Sequence, residues 1–460
     1  MSNQNRTMFG GRVDRDQVIN FIFNGKKYKG FHGDTLASAL LANDVHLVGR
    51  SFKYHRARGI LTAGSEEPNA IVQLGLGART EPNMRATEIE LYEGLEAASQ
   101  NCWPSVNYDI GSLNNILSSI FPAGFYYKTF KWPPSLWLFY EHFIRKAAGL
   151  GYSPTAKNPD RYEQKFYYCD LTIVGGGISG LLSALAAGRS GCSVLLIDEN
   201  PELGGYLLDY NFSINEKDGL KWIKNIVDEL YSMDNVRILK RTTAMGYYDY
   251  NYLTALEKVT NHCDQLSKTI PRERYWRVRS KKIVLAQGAF ERPLVFADND
   301  RPGIMMASAG KKYLSRYGVL PGKSVVLFTN NDHAYQTAFE FNDKGAKLSV
   351  VDTRENIDTR IQKKCDDLGI KLYSSSSIIS TSGNKKVNQI EVQKVDRKQN
   401  KLSGECVTLD VDCILMSGGW NPAVQLFSQS RGKLRYDKVL NTFVPDKLIQ
   451  DQIIIGCNNG

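Results

Sequence analysis

The stretch DLTIVGGGISGLLSALAAGRSGCSVLLIDEN, residues 170–200, decides the fold of this chain. An apolar strand leads into a glycine-rich turn, a helix and a second apolar strand. Gly175, Gly177 and Gly180 occupy the G-x-G-x-x-G positions. The first glycine permits a tight turn, the second lets phosphates approach the backbone, and the third allows close helix–strand packing. The stretch therefore predicts a Rossmann-like dinucleotide-binding unit.

Four further residues complete the centre of the predicted site. The helix is predicted to begin at about Ile178. The N–H groups of its first residues, Ile178 and Ser179, and the positive end of its dipole would then face a pyrophosphate. Asp198 and Glu199 end the second strand. A carboxylate there accepts hydrogen bonds from ribose hydroxyls and repels a 2′-phosphate. This position disfavours NADP.

Additional glycine turns extend the pattern. Gly204 and Gly205, in PELGG, predict a second turn beside the same cleft, and Gly288 ends the strand-like segment KKIVLAQG. With the later segment DCILMSGGW, these turns are typical of the chain crossings in disulfide-reductase-like flavoproteins. Such enzymes bind FAD at the first motif and close its site with a late strand ending in Gly-Asp. Here IIIGCNNG places Cys457 at the Asp position, so a usual flavin-phosphate contact is lost.

A second strand–turn–helix–strand unit, residues 323–354, is degenerate. Thr329, Asn331 and Ala334 stand where the three glycines are expected, with Asn330, Asp332 and His333 between them. Their side chains hinder a pyrophosphate, and Asp332 opposes its charge. The unit is predicted to keep the scaffold of a nucleotide-binding domain without ordinary NAD(P)H binding. We interpret His333 as a capping or hydrogen-bonding residue rather than a catalytic base.

The N-terminal region predicts a small β-grasp domain. A hairpin with the turn Asn24-Gly25 precedes a helix for which Asp34 is the expected N-cap. A β-grasp domain in this position of a flavoprotein often holds a 2Fe–2S cluster, which requires four cysteines. The corresponding loop, residues 46–80, contains none. The domain is therefore predicted to be ferredoxin-like and cluster-free.

Basic residues in that loop leave two interpretations open. They either face an anionic cofactor or partner, or they form a solvated surface. The residues concerned are Arg50, Lys53, His55, Arg56 and Arg58.

The whole chain is predicted to have an α/β fold. It contains two Rossmann-like dinucleotide-binding domains of disulfide-reductase-like flavoprotein type, preceded by the β-grasp domain. The expected domains are 17–100 (β-grasp), 101–165 (an aromatic-rich connector), 166–295 completed by 413–460 (first nucleotide domain) and 296–412 (second). The connector's aromatic rings either plug into neighbouring domains or form a docking surface for another subunit.

Composition excludes several classes of function. The net charge is +10, but the basic residues are scattered, which disfavours nucleic acid as a partner. The eight cysteines form no CxxC pair, so neither a zinc knuckle nor a redox dithiol is expected, and reduced thiols favour a cytoplasmic location. No secretory signal, membrane span or metal-ligand motif is found. His32, His46 and His55 each have a surface interpretation as good as a functional one, so the catalytic residues stay unknown.

An ordered set of motifs identifies a family. The chain resembles the α subunits of heterotetrameric sarcosine oxidase from about residue 18 to its end. It covers only the amino-terminal half of such a subunit and lacks the folate-binding, aminomethyltransferase-like half. The sequence leaves open whether it is a fragment or a split subunit. The resemblance rests on GDTLASALLANDVHLVGRSFKYHRARGI, PAGFYYKTFKWP, RKAAGLG, NPDRYE, VGGGISGL, AQGAFERPLVF, RPGIM, FTNND, SGGWNPAVQLFSQS and GKLRYD.

The resemblance implies oxidative demethylation of sarcosine to glycine, with hydrogen peroxide and formaldehyde or 5,10-methylenetetrahydrofolate as further products. It implies β, γ and δ partner subunits, with FAD in the β subunit and FMN at the boundary with it. NAD would bind this chain, with Gly175, Gly177, Gly180 and Asp198 as its contacts.

Two alternatives stay open. In one, the chain is the FAD-binding α subunit of an opine or proline dehydrogenase or of a cyanide-forming glycine oxidase, although such relatives tend to keep cluster cysteines. In the other, it is a noncatalytic assembly protein with a structural nucleotide.

Overall fold

A computed structural model describes residues 4–116, 118, 132–147, 149–210, 212–214, 216–264, 269–396, 398–399 and 401–460. The chain forms two compact units. The first consists of Met1–Pro159 with Pro293–Gly419, and the second of Asp160–Arg292 with Trp420–Gly460. The sequence had separated the N-terminal domain from the second nucleotide-binding domain, whereas both lie in the first unit.

The N-terminal domain has the predicted β-grasp arrangement of a mixed sheet and one helix. Asn24 and Gly25 take φ values of 52° and 74°, the left-handed turn that joins the first two strands. The helix Leu36–Ala42 is wholly buried, and its N-cap is Thr35 rather than Asp34. The sheet order is Lys26–His32, Asp14–Phe23, Glu96–Ser99, Ile71–Leu74 and Glu81–Arg85.

The second nucleotide-binding domain lies in the same unit. All pairs in its five-stranded sheet are parallel. The strands are, in order, Ile304–Met306, Cys413–Ser417, Ser324–Thr329, Lys347–Asp352 and Lys371–Tyr373. Its helices are Ala307–Tyr317, Tyr335–Asp343 and Thr359–Asp367. An antiparallel sheet of Ser376–Ser382, Gln389–Asp396 and Lys401–Asp410 is attached.

The strand Cys413–Ser417 differs from its predicted location. The sequence assigned it to the first nucleotide domain, but it pairs with Ile304–Met306 on one side and Ser324–Thr329 on the other. All five of its residues are buried, as expected for the interior of a parallel sheet. The chain therefore returns to the second unit only at Trp420.

The second unit contains the first nucleotide-binding domain. Its sheet runs in the order Val236–Leu239, Val194–Ile197, Tyr162–Val174, Glu273–Leu285, Tyr252–Lys258 and Thr242–Tyr248. The late strand Gln452–Ile454 pairs in parallel with Glu273–Leu285. The helices are Ile178–Arg189, Gly219–Tyr231 and Gln425–Gln429.

Apart from five short 3-10 helices, two further α-helices and four short strand pairs complete the described structure. The helices are Leu113–Ile116 and Trp137–Ala147. The pairs are Gly49–Arg50 with Ala57–Arg58, Ser213–Ile214 with Lys217–Asp218, Ala289–Glu291 with Trp420–Pro422, and Lys433–Asp437 with Thr442–Lys447. No described helix is long and apolar enough to cross a membrane.

Only part of the aromatic connector can be compared with its prediction. Residues 119–131, including Pro122, lie outside the described residues. In the described part, Trp132, Leu138, Phe139 and Phe143 are exposed. Both interpretations of the connector stay predictions.

Candidate nucleotide-binding site

The glycine turn has the geometry that its motif predicts. Gly175 has a φ of 106°, and a β-carbon there would stand 2.3 Å from the carbonyl oxygen of Ala286. A β-carbon on Gly180 would stand 1.8 Å from the carbonyl oxygen of Gly175. A β-carbon on Gly177, by contrast, would meet nothing within 4 Å. Two glycines are therefore required by packing, and the third leaves open space.

That open space lies at the beginning of the helix Ile178–Arg189. Gly177 is the N-cap residue, and no side chain caps this end by a hydrogen bond. The first N–H groups of a helix lack partners within the helix and carry its positive dipole end. An anion beside Gly177, Ile178 and Ser179 would satisfy both requirements.

Asp198 lies at the end of the strand Val194–Ile197, and only 8% of its surface is exposed. Its Oδ2 accepts a hydrogen bond from the backbone N–H of Gly176 at 2.5 Å. Its Oδ1 accepts two from Asn200, at 2.7 Å from the backbone and 3.0 Å from the side chain. Asp198 therefore orders the glycine turn itself, a role that the sequence did not indicate. Glu199, the next residue, is exposed.

The second glycine turn lies against the first. The backbone N–H of Gly204 donates to the carbonyl oxygen of Gly176 at 2.9 Å. Gly205 is so close to Gly177 that a β-carbon on it would stand 3.0 Å from the Gly177 α-carbon. The structure thus brings together all the glycines predicted between residues 175 and 205.

The turn after the strand Glu273–Leu285 borders the same place. Gly288 has a φ of 76°, and its carbonyl oxygen accepts a hydrogen bond from Ala423 at 3.0 Å. The backbone nitrogen of Gln287 would lie 3.2 Å from a β-carbon on Gly175. The side-chain Oε1 of Gln287 is buried, and no described residue donates a hydrogen bond to it. Sequence reasoning missed Gln287, and no motif signalled it.

The late strand reaches the start of the same helix. A β-carbon on Gly456 would stand 2.6 Å from the Ser179 hydroxyl. Cys457, at the position predicted to have lost an aspartate, is an exposed free cysteine. Asn458 is fully buried, and neither of its amide side-chain atoms has a hydrogen-bond partner among the described residues.

These features together fit a dinucleotide. The space at Gly177 is open, the helix start supplies N–H donors suited to an anionic group, and Gln287 offers an unsatisfied acceptor nearby.

The corresponding turn in the second nucleotide-binding domain carries polar side chains that bind other protein groups. The Nδ2 of Asn331 donates to the backbone and hydroxyl oxygens of Ser417, and its Oδ1 accepts from Ala334 at 3.3 Å. Arg354 bridges Asp332 and Asp352, at 2.8 Å from each. The side chains of Asn331 and Arg354 in this region are therefore already engaged by protein groups.

The basic loop is largely neutralised within the first unit. Arg56 contacts Asp298 at 2.5 Å and Asp300 at 2.7 Å, and Arg58 also pairs with Asp300. His55 lies 2.7 Å from Asp109. Neither sequence interpretation foresaw these partners, because they lie far along the chain.

Burial shifts the pKa values of two candidate histidines and of two cysteines. His46 is buried rather than on the surface, and burial lowers the pKa of its imidazole. Burial also lowers the pKa of His333. It raises the pKa of the Cys365 thiol to about 11 and that of Cys413 to about 12, so both are unreactive at neutral pH. Within the described ranges, no three His, Cys, Asp or Glu residues come together as a metal site.

Two family models match parts of the chain. One, a 2Fe-2S iron-sulfur cluster binding domain, matches residues 16–102, and the other, FAD dependent oxidoreductase, matches residues 170–259. They agree with the β-grasp domain and the first nucleotide-binding domain. The α/β fold is thus confirmed.

Curated relatives match over nearly the whole chain. Sarcosine oxidase subunit alpha of Rhizobium meliloti (strain 1021) is 48% identical over 92% of the chain and 42% of its own length. The protein of the same name from Corynebacterium sp. (strain U-96) is 33% identical over 98% of the chain, again 42% of its own length. The chain therefore spans less than half the length of both relatives, as an amino-terminal half would.

A solved structure shares the fold. L-proline dehydrogenase from P. horikoshii superimposes with a TM-score of 0.62 at 19% identity, covering 99% of this chain and 71% of the other.

Proposed function

The chain is a homologue of the alpha subunits of sarcosine oxidase, and we propose on this premise that it is the dinucleotide-binding part of such a subunit. In this role it belongs to an oxidoreductase complex that demethylates sarcosine to glycine. The other products are hydrogen peroxide and either formaldehyde or 5,10-methylenetetrahydrofolate.

The ligand of the first nucleotide-binding domain is NAD in this proposal. Gly175 and Gly180 shape the turn, Gly177, Ile178 and Ser179 face the pyrophosphate, and Gly204, Gly205 and Gly288 border the cleft. The observation that carries the proposal is the open space at Gly177 beside a helix start that no described side chain caps. Asp198 fixes the turn, and Glu199, exposed beside it, is the second candidate for the ribose hydroxyls. Bound NAD supplies a nicotinamide ring that can accept a hydride.

The partners follow from the homology. We assign the oxidation of sarcosine to a β subunit that carries FAD, and FMN to the boundary between that subunit and this chain. Subunits γ and δ complete the complex.

FAD in this chain is the second candidate. The FAD dependent oxidoreductase model matches residues 170–259, which contain the glycine turn. In that case the chain is the flavin-binding subunit of an opine or proline dehydrogenase or of a cyanide-forming glycine oxidase. Cys457 argues against this candidate because a thiol stands where FAD enzymes place an aspartate near the flavin phosphate.

We also propose that the β-grasp domain carries no 2Fe–2S cluster. Such a cluster requires four cysteine ligands, and the chain has no cysteine before Cys102. The residues of the domain therefore do not fit the group for which its family model is named.

The first test identifies the nucleotide. The chain is purified with its partner subunits and separated from them under native conditions, and the nucleotide released on denaturation is measured by mass spectrometry. NAD at about one equivalent is the expected result. Stoichiometric FAD would move the chain to the second candidate, and release of no nucleotide would overturn both.

A further inference from the structure

A buried carboxylate forms the centre of the loop that should hold a cluster. Glu67 is only 2% exposed. Its Oε2 accepts hydrogen bonds from the backbone of Leu61 at 3.0 Å and from Thr62, at 2.6 Å from the backbone and 3.1 Å from the hydroxyl. Its Oε1 accepts from the backbone of Asn69 at 2.8 Å and Ala70 at 2.9 Å. Five donors thus converge on one acid.

The spacing of these residues is that of a cluster-binding loop. Plant-type 2Fe–2S sites use the pattern C-x₄-C-x₂-C with a more distant fourth cysteine. Thr62, Glu67 and Ala70 have the same x₄ and x₂ intervals, within the segment that the cluster-domain model matches. Each of the three is also part of the hydrogen-bond set around the carboxylate.

We propose that the Glu67 carboxylate takes the place of a 2Fe–2S cluster as the anionic centre of this loop. It thereby holds the loop in the conformation that contacts the helix Ala307–Tyr317. This rests on the proposal that the domain carries no cluster, and it is independent of which nucleotide the chain binds. A cluster offers its loop negative charge and sulfur acceptors for N–H groups. An ionised carboxylate offers negative charge and two oxygen acceptors in a smaller volume.

The ionised form of Glu67 is the one that its surroundings require. Burial raises the pKa of this carboxyl, and the backbone N–H groups of Thr62, Ala70 and Asn69 oppose that shift. Four of the five groups around the carboxylate are backbone N–H groups, which cannot accept a hydrogen bond. A proton on Oε1 would therefore face only donors, and a proton on Oε2 would find only the Thr62 hydroxyl as an acceptor.

The outer side of the loop holds the helix. The carbonyl oxygen of Leu61 accepts from the backbone of Met306 at 2.8 Å, directly before the helix begins. The carbonyl of Thr62 accepts from the hydroxyl of Tyr313 at 2.8 Å, and that of Ala63 accepts from Lys312 at 2.7 Å. Leu61 and Thr62 therefore donate inward to Glu67 and accept outward from the helix segment. A change at Glu67 should reach the helix through these two residues.

Glu67 is a positioning residue, so its test measures local order. In the complete chain we would compare Glu67→Gln with the matched control Glu66→Gln, which alters the exposed neighbouring acid. The measurement is amide hydrogen exchange. For Glu67→Gln we expect exchange at Leu61, Thr62, Asn69 and Ala70 to be at least about tenfold faster, because a charged acceptor is lost and a donor is introduced. The Met306 amide should follow.

Unchanged exchange in Glu67→Gln, or the same increase in Glu66→Gln, would overturn the proposal. If Glu67→Gln does not fold, Thr62→Val removes only the hydroxyl donor and keeps the backbone N–H. It should raise exchange within residues 61–70 by a smaller factor, and no increase there would also overturn the proposal. The nucleotide content of every variant should equal that of the control, so this proposal and the proposed function fail separately.

Discussion

The carbonyl oxygen of Gly175 lies where the side chain of any other residue at position 180 would begin, 1.8 Å from the site of a β-carbon. The glycine turn and the helix that follows it are therefore in direct backbone contact. Gly180→Ala should force them apart. We expect a loss of about 1–3 kcal/mol in the free energy of unfolding, the usual cost of overpacking. Chemical denaturation followed by the fluorescence of the buried Trp276, in the same unit, would measure it.

The control for this prediction is Gly177→Ala. It adds the same methyl group three residues before Gly180, at the N-cap of the helix, where nothing lies within 4 Å and φ is −71°. Its free energy of unfolding should stay within about 0.5 kcal/mol of the original value. Equal losses in the two variants would contradict the packing explanation.

Gly177→Asp should separate folding from nucleotide binding. Aspartate is a favoured N-cap residue, so the helix Ile178–Arg189 should still form. Its carboxylate would, however, fill the open space and repel a pyrophosphate. We expect at least a hundredfold loss of nucleotide affinity, with a melting temperature equal to that of the original chain freed of its nucleotide, both measured by calorimetry.

Gly191→Asp is the control for added charge, since it places the same charge after the other end of that helix. Because Gly191 has a φ of 84°, this variant should lose some stability, so only its nucleotide affinity is compared. It should retain the nucleotide. If Gly177→Asp also retained it, the site would lie elsewhere. If the complex assembled but lost activity, a purely structural role for the nucleotide would be excluded.

Local patterns in the sequence are sufficient to predict the fold class and the glycine turn at the centre of the candidate site. The strand–turn–helix–strand order and the G-x-G-x-x-G spacing predict the turn, because its geometry depends on glycines at fixed intervals. The same reasoning failed where contacts join distant segments. Arg56 and Asp300 are separated by 244 positions, and no local pattern announces such a pair. Likewise, the strand Cys413–Ser417 has the same apolar pattern in either sheet, so its sequence does not select a neighbour.

Glu67 shows a different limit. Residues 46–80 contain no cysteine, but the sequence analysis did not single out Glu67 in this loop. The x₄ and x₂ intervals among Thr62, Glu67 and Ala70 are visible in the sequence and would have indicated it. Asp34 was expected to cap the helix Leu36–Ala42, but its carboxylate oxygens accept hydrogen bonds from Arg6 and Ser38 instead.

Asp198→Asn should weaken both the fold and nucleotide binding. The change removes the charge that receives the Gly176 N–H, and an amide donor can replace one acceptor oxygen. We expect a loss of about 1.5–3 kcal/mol in the free energy of unfolding, as for hydrogen bonds to charged groups. Glu199→Gln, which changes the exposed neighbouring acid, should leave the free energy of unfolding unchanged. If this variant bound the nucleotide more weakly, Glu199 would be the residue that contacts the ribose hydroxyls. Equal stability of the two variants would contradict the role given to Asp198.

Arg56 and Asp300 should be energetically coupled. They join the basic loop to the segment after Pro293 within the first unit, with bonds of 2.8 and 2.7 Å between them. Arg56→Gln, Asp300→Asn and the double variant form a thermodynamic cycle. We expect a coupling of about 1 kcal/mol, because both side chains are partly exposed. A coupling energy near zero would contradict this pairing and would favour the interpretation of the loop as a solvated surface.

His46 should make the chain less stable in mild acid. Its Nε2 lies 3.0 Å from Asp44, while its Nδ1 is buried with no hydrogen-bond partner among the described residues. A second proton on the imidazole would therefore be a buried, unsatisfied donor. Burial lowers the pKa of His46 below 6.5, and the positive charge of Lys386 lowers it further, whereas Asp44 and Asp412 oppose the shift.

The unfolded chain then binds more protons than the folded chain, so the free energy of unfolding falls as pH drops below about 6.5, by at most about 1.4 kcal/mol per pH unit. Denaturation between pH 7.5 and 5.5 should show this slope in the original protein and a shallower one in His46→Gln. The exposed His32→Gln is the control and should keep the original slope. If His46→Gln kept it as well, the acid sensitivity would belong to another group.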